Sequence, residues 1–250
     1  MLSISLIAAF PELVDHALDY GVTGRAREQG LWCWQGFGLH DFATDARKSI
    51  DARPAAGGPG MVLMPAPLDS ALAAARAWHS APTTVVLLSP DGAPLGQNQV
   101  RNLAGAAHLT LVAGRYEGVD QRWIDANVDV IISIGDYVLS GGELAAAVVI
   151  DSCVRLLPGA LGDNESATFE SFSADKLDWP QYALTNCSDS TVFDQIPEAL
   201  AAGDHAIILR WRLKQALART WMRRPDLLAR ASLSLEERAM IDEITIESKA

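Results

Sequence analysis

Residues that carry redox or metal chemistry are scarce in this chain. Its three cysteines, Cys33, Cys153 and Cys187, lie far apart, which excludes the paired spacing of a zinc site or a redox dithiol. The five histidines, His16, His40, His79, His108 and His205, are equally scattered, and none forms the i, i+4 couple that would hold a metal on one helix face. No run of about 18 apolar residues occurs, so no membrane partner is expected. The first residues, Met1-Leu2-Ser3-Ile4-Ser5-Leu6, include neither a basic leader nor a small-residue cleavage site, and a soluble, cytoplasmic protein is expected. No G-x-G-x-x-G follows the first apolar segment and no G-K-[ST] occurs, which removes the common dinucleotide and phosphate-cradle readings.

Cations are in deficit as well. The formal charge is -11, and phosphate binding rests on Lys and Arg displacing condensed counterions. The deficit is uneven. Between Ala201 and Arg230 there are seven basic residues (Arg210, Arg212, Lys214, Arg219, Arg223, Arg224, Arg230) against Asp204 and Asp226, a local charge of +5 that leaves -16 elsewhere. Such asymmetry suits one face built for an anionic partner, or a plain solvated helix face.

With 49% hydrophobic residues in 250, the chain has enough apolar mass for one large or two modest domains. Leu2 to Ala8, Thr83 to Leu88, Leu109 to Ala113 and Val128 to Ile134 read as buried strands. Helical spacing follows Pro11-Glu12-Leu13 and covers Pro65 to Trp78, Gln97 to Ala106 and Gly142 to Leu157. This alternation predicts an α/β domain over residues 1–161, with a mostly parallel sheet covered on both faces. Residues 162–190 are polar and without period, and are expected to be an interdomain linker or active-site loop. Residues 191–250 are helical, with a break at Pro225 and an N-cap at Ser234 answered by Glu237.

Three loops follow expected strands: Ser89-Pro90-Asp91-Gly92, Gly114-Arg115-Tyr116-Glu117-Gly118 and Ser133 through Glu143. Parallel strands place their carboxyl ends on one edge, so these loops are expected to converge there on a ligand. Glycines let backbone groups approach that ligand closely.

The sequence resembles the bacterial tRNA (guanine-N(1)-)-methyltransferase family of the SPOUT class. The resemblance rests on Gly57-Gly58-Pro59-Gly60-Met61, Gly114 to Gly118, Ser133 to Glu143, Pro158-Gly159-x-Leu161-Gly162 and Arg210-Trp211-Arg212-Leu213-Lys214-Gln215, and runs collinearly from Phe10 to Pro225. It implies a sheet ending in a trefoil knot, a helical tRNA-binding domain, and a homodimer with the active site at its interface. The implied reaction is methyl transfer from S-adenosylmethionine to N1 of the guanosine at tRNA position 37; magnesium is implied too, with no ligand cluster to hold it. The implied partner is tRNA, not DNA.

By motif matching, the cofactor pocket comprises Leu88, Ser89, Pro90, Gly114, Tyr116, Gly118, Ser133, Ile134, Gly135, Asp136, Tyr137, Val138, Leu139, Gly141 and Gly142. Glu117 is implied at the target guanine, and Arg210, Arg212, Lys214, Arg219, Arg223 and Arg224 at the tRNA. Arg155 is implied to stabilise charge on O6, and Glu170 to be the base, standing where the family has aspartate. The added methylene displaces the carboxylate by about 1 Å, and a misplacement of that size can cost about 100-fold in rate. Other departures are Ala52, Ala55, Ala56, Ala145 and Tyr182-Ala183-Leu184-Thr185. Three alternatives stay open: a paralogue that binds tRNA and S-adenosylmethionine with little turnover, a SPOUT RNA methyltransferase with a different target, or a small-molecule nucleotide-binding enzyme, which would show no salt-sensitive tRNA binding.

Overall fold

The computed structural model describes residues 1–55, 57–162, 170–183, 196–201 and 203–248. They fall into two compact units, Met1–Asn164 and Glu165–Ala250. In chain order the first contains β1 (Leu2–Ala8), α1 (Glu12–Leu18), α2 (Gly21–Glu28), β2 (Trp32–Gly38), β3 (Asp51–Ala52), β4 (Val62–Leu63) and α3 (Pro65–Trp78). It continues with β5 (Thr84–Pro94), α4 (Gln97–Ala104), β6 (His108–Ala113), α5 (Gln121–Asn127), β7 (Val130–Ser133) and α6 (Glu143–Val154). The second unit contains α7 (Glu198–Ala201), α8 (His205–Arg223), α9 (Pro225–Leu228) and α10 (Leu235–Glu247).

The main sheet has the order β2-β1-β6-β5-β7, and every pairing in it is parallel. All seven residues of β1 and all six of β6 are buried, as expected of central strands covered on both faces. The period of two divides them. Ile4, Leu6, Val86, Leu88, Leu109 and Leu111 join a core with Val100 of α4 and Ala146, Val149 and Ile150 of α6. Ile7, Val85, Leu87 and Val112 join Leu68 and Leu72 of α3 and Trp123 of α5 on the other face. The polar residues caught inside are bonded: Ser5 Oγ lies 2.9 Å from His108 Nε2, and Thr83 Oγ1 lies 2.8 Å from Thr110 Oγ1.

The α/β class and the helical C-terminal part agree with the sequence, with one correction. Ser89-Pro90-Asp91-Gly92, expected as a loop beyond its strand, is the irregular continuation of β5. Its register against β7 shifts between Leu88 and Ala93, because a bulge lets the strand bend without losing its partner. After β7 the chain turns back over 134–142, and Gly142 N donates to Gly114 O at 2.8 Å. This return sets the loop after β7 against the end of β6.

In the second unit Asp204 caps α8 by accepting from Ala206 N at 2.8 Å. Ser234 and Glu237 form the expected capping box of α10. A small core of Leu217, Met240 and Ile244 holds the helices. Of the segment expected as a linker, residues 163–169 and 184–190 lie outside the described residues, as do Ala56 and Cys187. Residues 170–183 form a strap on the helices: Leu177 N donates to Thr220 Oγ1 at 2.9 Å, and the Arg224 guanidinium lies 5.8 Å from the Phe172 ring centre.

Candidate active site

The carboxyl ends of β5, β6 and β7 open on one cleft of about 230 Å³. Of the residues expected around a cofactor, Leu88, Ser89, Pro90, Gly114, Tyr116, Gly118, Ser133, Ile134, Gly135, Tyr137, Val138, Leu139, Gly141 and Gly142 line it. Asp136 is exposed and is not in the lining; Arg115, Glu117, Ile132, Ser140 and Ala145 are.

Backbone contacts set the shape. Arg115 and Gly141 form an antiparallel bridge, so the loops after β6 and β7 are held edge to edge. At Gly142 a Cβ would stand 2.9 Å from Ala113 Cα and 3.0 Å from Gly114 N, an approach only glycine allows. Ser133 Oγ accepts from Gly135 N at 3.3 Å and donates to Gly135 O at 3.2 Å, which fixes the turn out of β7. Tyr116 sits at φ +59, a region non-glycine residues seldom occupy and which clusters at ligand sites.

A buried ion pair underlies the cleft. Glu143, at the N-terminus of α6, is 1% exposed, and its Oε1 accepts from Arg115 Nε at 2.8 Å and from Phe10 N at 3.4 Å. Oε2 has no hydrogen-bond partner among the described residues. The Arg115 guanidinium stacks 4.7 Å from the Phe10 ring centre, and the positive helix terminus favours the carboxylate. Motif matching did not single out this pair. The available signal was an Arg and a Glu of opposite charge in two loops already expected to meet.

Glu117 is exposed beside the cleft. Its amide donates to Met61 O at 2.9 Å, and its side chain lies where a Cβ on Gly60, at φ +87, would be. The Gly57 to Met61 motif therefore seats Glu117. Arg155 is the half-buried C-cap of α6 in the first unit. Glu170 is half-buried at the start of the strap in the second. Its carbonyl accepts from Ser173 Oγ at 2.7 Å and from Ser173 N at 3.1 Å.

Four cations of the basic stretch 210–230 are paired with acids of the same unit. Arg210 pairs with Glu236 at 3.2 Å, Lys214 with Glu247 at 2.8 Å and Glu243 at 3.4 Å, and Arg224 and Arg230 with Asp226 at 2.7 and 3.1 Å. Glu247 foremost holds the Lys214 ammonium above its ordinary pKa. Such exposed pairs are worth at most about 1 kcal/mol, so phosphates can displace them. Arg219 and Arg223 have no ion pair among the described residues. Arg212 stacks 5.0 Å from the Trp179 ring centre. No group of three potential metal ligands occurs among the described residues, and no described helix is long and apolar enough to cross a membrane.

Comparison with known proteins places the chain among relatives. A family model described as tRNA (Guanine-1)-methyltransferase TrmD matches residues 2–230. A tRNA (guanine-N(1)-)-methyltransferase of Halorhodospira halophila is 47% identical over 249 residues, covering 99% of this chain and 92% of that protein. Proteins of the same name from Dechloromonas aromatica and Nitrosospira multiformis are 48% and 49% identical. The first alignment covers 100% of this chain and 99% of the relative; the second covers 95% and 94%.

Proposed function

The chain belongs to the tRNA (guanine-1)-methyltransferase family, and on that premise we propose that it methylates N1 of the guanosine at tRNA position 37, beside the anticodon, with S-adenosylmethionine as donor. The observation that carries the reading is the cleft at the ends of three parallel strands. Its walls are backbone and small apolar side chains, and its Gly142 cradle would be filled by any Cβ. This fits a nucleoside read through its edges. The donor, when bound, supplies a methyl group activated by its sulfonium.

The remaining chemistry falls to the protein. Guanine N1 carries a proton at neutral pH, so its attack needs a base, and negative charge then builds on O6. Glu170 is the base in this reading, Arg155 stabilises O6, and Glu117 orients the guanine. Arg210, Arg212, Lys214, Arg219, Arg223 and Arg224 bind the tRNA, with the intramolecular partners of Arg210, Lys214 and Arg224 yielding to phosphate. The active form is a homodimer that completes the site at its interface. Exposed Leu13 on α1, with Leu144 and Val148 one turn apart on α6, supports such a face, since an apolar row is rarely left to water. Magnesium dependence and a cytoplasmic location belong to the same proposal.

The test is methyl transfer to transcripts carrying guanine at positions 36 and 37, with magnesium or with a chelator. A position-37 adenine transcript and a Glu170→Ala variant are run beside them. Label confined to the guanine transcript and lost in the variant supports the reaction and the base. Full activity in the variant removes Glu170 from its role, and binding of both ligands without transfer makes the chain a binding protein.

A further inference from the structure

Lys176 belongs to none of the sequence motifs that carry the family resemblance, yet its ammonium is bonded to Glu237 Oε1 with both side chains largely shielded from water, 19% and 12% exposed. The other oxygen of Glu237 accepts from Ser234 N at 2.8 Å, so one carboxylate both caps α10 and receives the strap. Burial pushes the Glu237 carboxyl up, but the bonds from Lys176 and Ser234 more than reverse this and hold it below its ordinary range.

The strap itself is closed by its own bonds. Ser173 holds the Glu170 carbonyl through two contacts, Phe172 N donates to Lys176 O at 2.8 Å, and Asp178 N donates to Ser171 Oγ at 3.0 Å. Phe172 and Asp175 take up left-handed backbone, φ +72 and +52, which persists only where surroundings over-determine it. Glu170 thus rides on a tight turn tied to the helices at several points, among them Leu177 to Thr220, Phe172 under Arg224, Trp179 against Arg212, and Lys176 to Glu237. The last of these joins two opposite charges in a shielded site. A shielded ion pair adds little net stability over apolar packing, and its distinctive effect is to fix register.

We propose that Lys176 and Glu237 are positioning residues for methyl transfer, setting the place of the Glu170 carboxylate by clamping its strap to the N-terminus of α10. The proposal rests on the reading of Glu170 as the base. It assigns the helical unit a part in the chemistry in addition to holding tRNA.

The experiment uses the full chain, S-adenosylmethionine and a tRNA transcript with guanine at positions 36 and 37, followed in a single turnover. Lys176→Met is expected to slow transfer about 10-fold, less than the roughly 100-fold cost of a full 1 Å misplacement because the other ties remain. Dissociation constants for both ligands stay within about two-fold, and Lys176→Arg recovers the rate to within about three-fold. In a Glu170→Gln background, Lys176→Met causes no further loss, because it acts through the missing carboxylate. A wild-type rate in folded Lys176→Met overturns the proposal, and so does an equal loss in both backgrounds, which marks a purely structural role. A wild-type rate for Glu170→Gln alone overturns the base reading and the clamp with it; a Glu170→Gln loss without a Lys176→Met loss overturns only the clamp. Should Lys176→Met not fold, Glu237→Gln decides by the same criteria, because it keeps an acceptor for Ser234 N while removing the charge.

Discussion

Substituting Gly142 by alanine tests whether the two loops of the cleft are held by close backbone approach. Gly142 has φ -80 and ψ -3, which alanine adopts without strain, so the whole effect must come from contact. The new Cβ would meet Ala113 Cα at 2.9 Å, Gly114 N at 3.0 Å and Ala113 C at 3.2 Å, where ordinary contact begins at 3.4 Å. All three are backbone atoms of Ala113, the last residue of β6, and of Gly114 just beyond it, and no rotamer change relieves them. Recession by roughly 0.5 Å stretches the 2.8 Å bond from Gly142 N to Gly114 O past good hydrogen-bond geometry. Overpacking of about 1–3 kcal/mol and a lost hydrogen bond of about 1 kcal/mol give a destabilisation of roughly 2–4 kcal/mol. At about 2–4 °C per kcal/mol, the expected fall in melting temperature is on the order of 10 °C. Because both loops line the cleft, S-adenosylmethionine should bind at least about 10-fold more weakly, equivalent to about 1.4 kcal/mol. Thermal melts and titration calorimetry read both quantities. Gly105→Ala is the control, since Gly105 has φ -80 and its nearest atom would lie at 3.5 Å; there alanine should be neutral or slightly stabilising. A Gly142→Ala protein that melts within about 2 °C of wild type and binds the donor as tightly would refute the close-approach argument.

Glu143→Ala should destabilise the protein by roughly 3 kcal/mol in urea unfolding, because it strands the Arg115 guanidinium, 18% exposed, without its 2.8 Å partner; pairing it with Arg115→Met should recover much of that loss, and no recovery would count against an ion-pair origin. Burial holds His108 below its ordinary pKa, so below the unfolded value of about 6.5 the unfolded chain binds a proton that the folded one refuses. Stability should therefore fall as pH drops through 6.5 toward the depressed folded value, and the drop in urea midpoint between pH 7.5 and 5.5 should shrink in His108→Gln. Burial pushes the Cys153 thiol up to about 12, so a disulfide reagent at pH 8 should modify half-buried Cys33 and leave Cys153 intact until unfolding. Equal labelling of the two in the native protein, mapped by mass spectrometry, would contradict this.

Local patterns carry local information, and the elements with strong local signals were legible. Apolar strands buried on both faces, the helix opened by Pro65 and the Ser234/Glu237 capping box are each written in a few neighbouring residues. The half-buried edge strand Trp32–Gly38 and the seven-residue helix Gln121–Asn127 carry no strong period and were not anticipated. Glycine-rich loops after β6 and β7 announced a ligand edge because parallel strands share a direction, and collinear motifs named the family. Sequence alone could not reveal that Arg115 and Glu143, 28 residues apart, form the buried floor of the cleft. It also left open that β5 bends through Ser89 to Gly92, that Gly60 makes room for Glu117, and that Arg210 and Lys214 of α8 are already engaged by acids of α10. Lys176 is the plainest case: in the sequence it is one charge in a polar stretch, while in the fold it meets a carboxylate 61 residues away. Sequence determined what each segment can form, because propensity and periodicity act between neighbours. Only the tertiary structure decided which charges are paired and buried, because distant segments compete for the same partners and folding resolves that competition.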